Sequence, residues 1–343
     1  MRYSIPPLLA VLALAPVAAT ARAQDPAADS SGIFAAESAL PLTLAGDLRA
    51  LFRDRGDEHP WREATLTYPD SGGATASLPV RVRTRGLWRL RNCTVPPLRL
   101  RFAKEHVKGT PFEGQDRPKL VTHCRDAGEY EQYVVQEYLL YRAYSLLTPV
   151  GFRARLARVT YADSGRGKSS THNAVLLEAP SQLARRNGLT VLEAKGARPD
   201  DLEPYQSALF GVFQYFIGNT DWSISGLHNV ELVQGGGAVY PVPFDFDFSG
   251  AIATRYATPD PQIPIKSVVQ RHYRGYCASQ PQLEKVFALF NEKKEAIYAL
   301  YRTPGPLDRR HEERALEYFD AFYRIINDPA RVRRDMLWSC RKE

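Results

Sequence analysis

The sequence predicts an α+β protein with two lobes, a β-rich N-terminal lobe that contains one helix and a mainly helical C-terminal lobe. The first observation is that runs of alternating apolar and polar residues dominate as far as residue 180. The second is that helical periodicity dominates after it, with one β-hairpin around the glycines 235–237. We expect a cleft between the two lobes, and such clefts are common ligand sites.

The N-terminal lobe, assigned to residues 37–180, is built from β-patterned segments and one helix. Segments 64–68 and 78–84 flank Pro69-Asp70-Ser71-Gly72-Gly73, a strong turn signal, so both are predicted to be strands. Four further strands and the helix follow in this order: 98–102, 119–123, helix 128–147, 152–161 and 173–178.

The C-terminal lobe, assigned to residues 181–343, is mainly helical. Apolar residues at the helical period predict helices at 204–217, 283–301 and 310–326. Between the first two helices, segments 229–233 and 238–248 flank three consecutive glycines and are predicted to form a hairpin.

The chain begins with the features of a secretory signal peptide. Arg2 precedes an apolar run, and Ala21-Arg22-Ala23 has the small residues of a cleavage site, so we expect residues 1–23 to be removed. Residues 24–36 are predicted to be a flexible leader. Because no later run approaches the ~20 apolar residues of a membrane-spanning helix, we expect no transmembrane segment in the mature protein. The predicted location is therefore periplasmic or extracellular.

The charge of the chain argues against a nucleic-acid partner. The net charge of +7 falls to +5 without residues 1–23, which contain two arginines and no acidic residue. The arginines are scattered among acids and prolines, whereas a nucleic-acid-binding protein concentrates its charge on one stripe. The mild positive balance is compatible with an anionic ligand.

The four cysteines indicate disulfide bonds, as expected for an exported protein. Three pairings are possible. We favour Cys93–Cys124 and Cys277–Cys340 because the partners in each pair lie in the same half of the chain. No zinc site is predicted, since no CxxC pair occurs and the histidines are dispersed. The histidines considered are His123, His172, His228 and His272.

Three aspartates and an asparagine form the most informative pattern. Asp221 follows a predicted helix on a loop, and Asn229 begins a strand. Asp245 and Asp247 end the return strand of the hairpin. Phosphoryl transfer to a hydroxyl needs a carboxylate that orients the acceptor and accepts its proton, and oxygen ligands that hold Mg²⁺ on the nucleotide phosphates. These four side chains have the chemistry for both roles.

The two aspartates of the hairpin are predicted to point to the same side of an extended strand. Two buried carboxylates that lie close together repel each other and partly protonate, a conflict that a divalent cation resolves. The alternative is that Asp221 caps a turn and that Asp245-Phe246-Asp247 is a solvated edge strand. The flanking phenylalanines argue against simple exposure, because we expect them to fill one apolar face.

The order of these motifs resembles the protein-kinase-like superfamily, in particular its atypical members of the CotH type. The most specific part is the block of Asp221, Asn229 and Asp245-Phe246-Asp247. The resemblance covers residues 64–277, and it implies a two-lobe protein-kinase-like fold. Over the rest of this range only the order of the segments matches. These segments are Arg83-Thr84-Arg85-Gly86, the strand of Lys119, the helix after it, and segment 173–178.

The resemblance implies a role for each residue of the specific block. Asp221 would be the catalytic carboxylate, and Asn229 would be a metal ligand. Asp245 would be the metal-binding aspartate, with Asp247 as the alternative.

The resemblance also implies a nucleotide site. Lys119 would contact the nucleotide phosphates, and Glu137 on the following helix would hold that lysine in place. Arg85, Arg99 and Arg101 compete with Lys119 for the phosphate contact, because arginine also suits that role. For Arg99 and Arg101 a solvated strand face is the favoured interpretation.

The implied function is Mg²⁺-dependent transfer of the γ-phosphate of ATP to a protein or a small hydroxyl-bearing acceptor. The sequence departs from protein kinases in three ways: Arg85-Gly86-Leu87-Trp88 offers one glycine instead of three, Asn229 lies eight residues after Asp221 instead of about five, and the last motif is Asp-Phe-Asp instead of Asp-Phe-Gly. Two alternatives therefore stay open. One is a kinase-like binding module without catalysis, and the other is a structural protein that binds Ca²⁺ through the aspartates.

Overall fold

The computed structural model describes residues 32–70 and 72–342. The predicted signal peptide, residues 1–23, and residues 24–31 of the predicted leader lie outside the described residues. In the last part of that leader, Ile33 is buried in a hydrophobic core, and its backbone N–H donates to the carbonyl of Pro111.

The described residues form ten strands and nine α-helices. The strands are β1 Leu40–Gly46, β2 Arg62–Pro69, β3 Thr75–Thr84, β4 Leu98–Arg101, β5 Lys119–Val121, β6 Ala154–Asp163, β7 Lys168–Leu177, β8 Thr190–Leu192, β9 Val230–Gly235 and β10 Ala238–Pro243. The helices are α1 Leu48–Arg53, α2 Trp88–Asn92, α3 Lys104–Val107, α4 Gly128–Leu147, α5 Pro180–Arg186, α6 Pro204–Ile217, α7 Gln280–Arg302, α8 Arg309–Ile326 and α9 Pro329–Val332.

Seven strands close a mixed β-barrel in the order β1-β2-β3-β4-β5-β7-β6. Strands β1 and β6 are parallel and close the barrel, whereas the other neighbours are antiparallel. A separate antiparallel sheet contains β8, β9 and β10. The predicted two-lobe protein-kinase-like fold is therefore wrong. The strands close into a barrel, and four helices, α1 to α4, precede residue 180 instead of one.

Strand β1 and the short helices account for this difference. The sequence pattern predicts no strand before residue 64, yet β1 pairs with β2 on one side and β6 on the other, which removes both free edges. Its Leu40, Leu42 and Leu44 are buried and alternate with more exposed residues. Helices α2 and α3 have five and four residues, too few to show a helical period.

Helix α4 joins the barrel to the helical part of the molecule. Twelve of its 20 residues are buried, so it has apolar contacts on nearly every side. Val175 and Leu177 on the outer face of β7 belong to the same hydrophobic core as Leu140 and Tyr144 of α4. That core also contains residues of α6, α7 and α8, so it includes side chains from both sides of residue 180.

The long predicted helices agree well with the structure. Helices α4 and α6 have the predicted bounds. The predicted strand 238–248 is too long, because β10 ends at Pro243 and Asp245 has a φ of 64°, a left-handed conformation that ends an extended strand. Asp245 and Asp247 therefore follow the strand and do not lie on it.

Both favoured disulfides, Cys93–Cys124 and Cys277–Cys340, are confirmed. Across the part of the chain that the structure describes, no helix combines the length and the apolar character needed to cross a membrane.

Candidate functional site

The loop that carries Asp221 is held rigidly at the end of α6. Gly218 ends the helix with a φ of 65°, and a Cβ atom there would lie 1.9 Å from the hydroxyl oxygen of Tyr318, so only glycine is accommodated. The side chain of Asn219 then accepts a hydrogen bond from the backbone N–H of Asp221 at 3.0 Å. Trp222 donates from Nε1 to the carbonyl of Asn219 at 3.1 Å. These contacts fix the direction in which Asp221 leaves the helix.

Asp221 lies beside His228 and Asn229. Its Oδ1 is 2.8 Å from Nε2 of His228, and its Oδ2 accepts from Nδ2 of Asn229 at 3.0 Å. The hydrogen bond to Asp221 raises the pKa of His228. The Asp221 side chain is 40 % exposed, so an external molecule can reach its carboxylate.

Asp245 is brought next to this loop by backbone contacts. The N–H of Phe244 donates to the carbonyl of Asn229 at 3.1 Å, and the chain then turns at Asp245. The N–H of Asp245 donates to the hydroxyl of Tyr141 on α4 at 2.8 Å. The structure therefore brings Asp221, Asn229 and Asp245 together, in agreement with the order of the sequence motifs.

Two arginines from the segment after β3 approach the aspartates. Nη1 of Arg85 is 3.5 Å from Oδ2 of Asp245, and Nε of Arg89 is 3.9 Å from Oδ2 of Asp247. Arg89 is buried and also donates to the carbonyl of Thr122. Sequence reasoning considered Arg85 and missed Arg89, because α2 is too short to have a recognisable pattern.

Lys119 is buried, as a functional lysine would be, but Glu137 is not its partner. Its Nζ lies 2.9 Å from Oε1 of Glu231 and 3.4 Å from the ring centroid of Phe244. Burial lowers the pKa of Lys119 to about 8, although Glu231 opposes that shift. Glu231 was not predicted, and the only sequence signal for it is its position two residues after Asn229.

Glu137 faces the aspartates. It is buried, accepts from the hydroxyl of Tyr141 at 3.3 Å, and has a pKa raised to about 7 by burial and then by Asp245. Asp247 accepts from the hydroxyl of Tyr256 at 2.9 Å, and burial followed by the charge of Asp245 raises its pKa well above the ordinary value.

Asp245 is the carboxylate that stays ionised in this group. Burial alone would raise its pKa, but Arg85 and Arg89 outweigh burial and the pKa is lowered. The surroundings therefore lower the pKa of Asp245 and raise that of Asp247, so the two neighbouring carboxyl groups differ in their tendency to ionise.

Several buried polar atoms of this region lack a hydrogen-bond partner among the described residues. They are Nε and Nη2 of Arg85, Nε of Arg89, Nε of Arg99 and Oδ1 of Asp245. Unpaired buried polar groups destabilise a protein, so such a cluster indicates a ligand or ion that supplies the missing partners.

A row of cations extends from this point across three barrel strands. Arg83 on β3 lies opposite Arg99 on β4, and Arg99 lies opposite Lys119 on β5. Like charges in directly opposite positions destabilise a sheet. We call these three residues the cationic row. An anion bound over the row would remove the repulsion.

A groove of about 640 Å³ continues from the cationic row. Its cationic and aromatic lining includes Trp61, Arg81, Arg83, Arg101, Lys104 and Arg117. The guanidinium of Arg83 lies 4.6 Å from the ring centroid of Trp61. Glu63 and Asp116 also line the groove, so its charge is mainly but not entirely positive.

The side chains of Asp245 and Asn229 have donor atoms that suit Mg²⁺. Oδ1 of Asp245 is buried and has no hydrogen-bond partner in the part of the chain that the structure describes. Asn229 donates from Nδ2 to Asp221, which leaves its amide oxygen for a cation. Asp247 has a raised pKa and accepts a hydrogen bond from Tyr256, so Asp245 is the better ligand of the two aspartates.

Comparison with known proteins finds no matching protein-family model and no matching curated protein, so the resemblance to the CotH-type family stays a prediction based on the motifs alone.

Proposed function

We propose that this protein is an exported, Mg²⁺-dependent phosphotransferase that transfers the γ-phosphate of a nucleotide such as ATP to a hydroxyl-bearing acceptor. One observation carries the proposal. A reachable carboxylate, Asp221, lies beside a buried group in which Asp245 and Arg85 have polar atoms without hydrogen-bond partners among residues 32–70 and 72–342. Phosphoryl transfer needs this combination of an acceptor-orienting carboxylate and buried charges around the phosphates.

Asp221 acts on the acceptor. His228 and Asn229 each form a hydrogen bond with one of its carboxylate oxygens, so the group that orients the acceptor hydroxyl is held in place on both sides. The hydroxyl oxygen forms the new bond to the γ-phosphorus, the bond from phosphorus to the leaving nucleotide diphosphate breaks, and the hydroxyl proton passes to Asp221. Atoms and charge balance without a further reactant.

Arg85 and Lys119 hold the phosphates. Two guanidinium nitrogens of Arg85, Nε and Nη2, have no hydrogen-bond partner among the described residues, which suits planar contacts to phosphate oxygens. Lys119 adds a compact charge at the end of the cationic row. Asp245 and Asn229 would hold Mg²⁺, which would neutralise charge on the phosphate oxygens.

A second candidate function is a binding protein for an anionic ligand without catalysis. The observation that favours it is the groove beside the cationic row, which has five cationic side chains and a tryptophan in its lining. Such a lining binds phosphate, sulfate or carboxylate groups in a larger molecule without requiring any reaction.

Nucleoside triphosphate is expected to be scarce outside the cytoplasm, which counts against the catalytic proposal. The experiment therefore measures nucleotide binding and phosphate transfer separately. The mature chain is incubated with Mg²⁺ and γ-labelled ATP, and label transfer to itself and to lysate proteins is recorded. We expect Asp221→Asn to reduce transfer by at least about 100-fold and to retain nucleotide binding. We expect Asp245→Asn to lose Mg²⁺-dependent binding as well.

Asp57→Asn, at an exposed position in the chain, is the matched control and is expected to leave both readouts unchanged. Binding of ATP without transfer in the unmodified protein would support the non-catalytic candidate. Stabilisation by Ca²⁺ alone, without any nucleotide effect, would overturn both proposals and support a structural calcium protein.

A further inference from the structure

We propose that His123, Asp126 and His172 form a second metal site, for a divalent transition-metal ion such as Zn²⁺, at the start of α4. We call these three residues the histidine site. Their possible ligand atoms all lie within 4.8 Å of one another. The proposal is independent of the phosphotransferase function, because none of the three residues takes part in it.

The fold brings the two histidines together although 49 residues separate them. Strands β5 and β7 are neighbours in the barrel, so His123, two residues after β5, comes to lie beside His172 on β7. Their imidazole rings stack with centroids 3.7 Å apart. The disulfide of Cys124 fixes the backbone directly after His123.

Asp126 supplies the carboxylate between the two rings. Its Oδ1 is 3.0 Å from Nε2 of His123 and 3.5 Å from Nε2 of His172. The Asp126 side chain is 72 % exposed, whereas His123 is fully buried. The site therefore has a buried end made of imidazoles and an open end where water can complete the coordination of a metal.

Glu131 orients His172 in the way that metal-binding histidines are usually oriented. Its Oε1 lies 2.8 Å from Nδ1 of His172, so Nδ1 carries the proton and Nε2 presents its lone pair. Oε2 of Glu131 accepts from the backbone N–H of Asn173 and from Arg158, which holds the carboxylate in place.

Three buried polar atoms around the site lack a hydrogen-bond partner among the described residues: Nε2 of His172, Nδ1 of His123 and the hydroxyl of Tyr161. An ion at Nε2 of His172 would supply that atom's missing partner.

The donor set selects the class of metal. Two imidazoles and one carboxylate suit Zn²⁺ and neighbouring transition metals, whereas Mg²⁺ and Ca²⁺ prefer oxygen ligands alone. A metal ion lies near the plane of each imidazole that binds it. The two parallel rings must therefore turn apart when the ion enters, and binding changes their environment measurably.

The consequence concerns α4. Asp126 and Glu131 flank the start of this helix, while His123 and His172 belong to the barrel side. A metal ion at the histidine site would fasten the helix that carries Glu137 and Tyr141 to the barrel wall.

The experiment titrates metal-free mature protein with Zn²⁺ against a chromophoric chelator and follows thermal unfolding in parallel. We expect one equivalent of Zn²⁺ to bind and to raise the melting temperature, with no comparable effect of Mg²⁺ or Ca²⁺. His172→Asn and Asp126→Asn should each lose this site. Asp126→Asn keeps the result interpretable, because an exposed side chain can be replaced without unfolding the protein.

Two further variants separate the histidine site from unspecific binding. His106→Asn, at an exposed histidine on α3, should bind Zn²⁺ like the unmodified protein. Glu131→Gln should weaken binding by roughly 10-fold to 100-fold, as expected for a residue that positions a ligand. Co²⁺ in place of Zn²⁺ should give visible absorption bands that disappear in His172→Asn. Equal Zn²⁺ uptake by His172→Asn and His106→Asn, or no uptake by folded protein, would overturn the proposal.

Discussion

Lys119 keeps an ammonium group inside the protein, where one carboxylate and two aromatic rings surround it. Its Nζ lies 2.9 Å from Glu231, 3.4 Å from the ring centroid of Phe244 and 5.1 Å from that of Phe152. Burial favours the neutral amine, and the aromatic rings and Glu231 compensate only in part, so the pKa falls to about 8. A buried lysine that destabilises the fold in this way is better explained by a role in binding a ligand than by a contribution to stability.

This shift predicts a pH dependence that can be measured with Lys119→Met. In the unfolded chain the lysine keeps its proton up to about pH 10.4. In the folded chain it loses the proton near pH 8. The unfolded state therefore binds more protons between these values, and the stability of the unmodified protein rises with pH there. The free energy of unfolding of the unmodified protein minus that of Lys119→Met should be constant below pH 7 and should increase from pH 8 to 10.

Urea unfolding at several pH values gives this difference directly. Lys168→Met, at an exposed lysine of β7, is the matched control and should show no change of the difference with pH. A flat difference for Lys119→Met would mean that Lys119 titrates normally and that the buried lysine is fully compensated.

The Cys93–Cys124 disulfide connects α2 to the segment after β5, and both carry parts of the candidate sites. Cys93 directly follows α2, which presents Arg89 to Asp247, and Arg89 also donates to Thr122 just before Cys124. The Cys277–Cys340 disulfide instead ties the C-terminal segment to the chain before α7, next to the backbone bridge of Tyr276 and Arg341.

The two disulfides should therefore have similar effects on stability and different effects on binding. Their sequence separations are 31 and 63 residues, so loop entropy predicts that removing either one by paired Cys→Ser changes costs about 4 kcal/mol. Only the Cys93/Cys124 variant should also weaken Mg²⁺-ATP binding, because Arg89 loses its fixed position. Urea unfolding and calorimetric titration measure both. Equal loss of binding in the two variants would contradict this assignment.

The sequence predicts the long elements well and the closure of the barrel poorly. Helices α4 and α6 are long segments with many apolar residues, and α6 ends at Gly218, so their bounds are visible in the sequence. Closure depends on the parallel pairing of β1 with β6, a contact between segments more than 100 residues apart that no local pattern specifies. The same limit applies to His123 and His172, which look dispersed and yet stack.

The sequence likewise predicts some features of the candidate site and not others. Asp221, Asn229 and Asp245 are close in sequence and are linked by a hairpin, so their proximity follows from local structure. The ion-pair partner of Lys119 does not follow from local structure. Glu137 and Glu231 are both plausible partners, and only the packing of the folded chain decides between them. The raised pKa of Asp247 is due first to burial, which a motif does not reveal.

The barrel and the helical part share one hydrophobic core, and this bears on the predicted boundary at residue 180. Helix α4 belongs to the first part of the chain, yet Leu140, Tyr141 and Tyr144 pack in a core that includes Phe213 of α6 and Phe290 of α7. The ring of Tyr144 lies 4.6 Å from that of Phe213. Removing the helices after residue 180 would expose this face of α4 to water, at about 25 cal/mol for each Å² of apolar surface.

We therefore expect residues 32–180 not to fold independently, although they contain all seven barrel strands. The isolated fragment should bind a hydrophobic dye, give poorly dispersed amide signals and unfold without a cooperative transition, whereas the mature chain should unfold in one transition. Adding residues 181–342 in trans should restore order if the shared core is the reason. A fragment that unfolds cooperatively alone would instead show that the barrel is a separate domain and that α4 tolerates exposure.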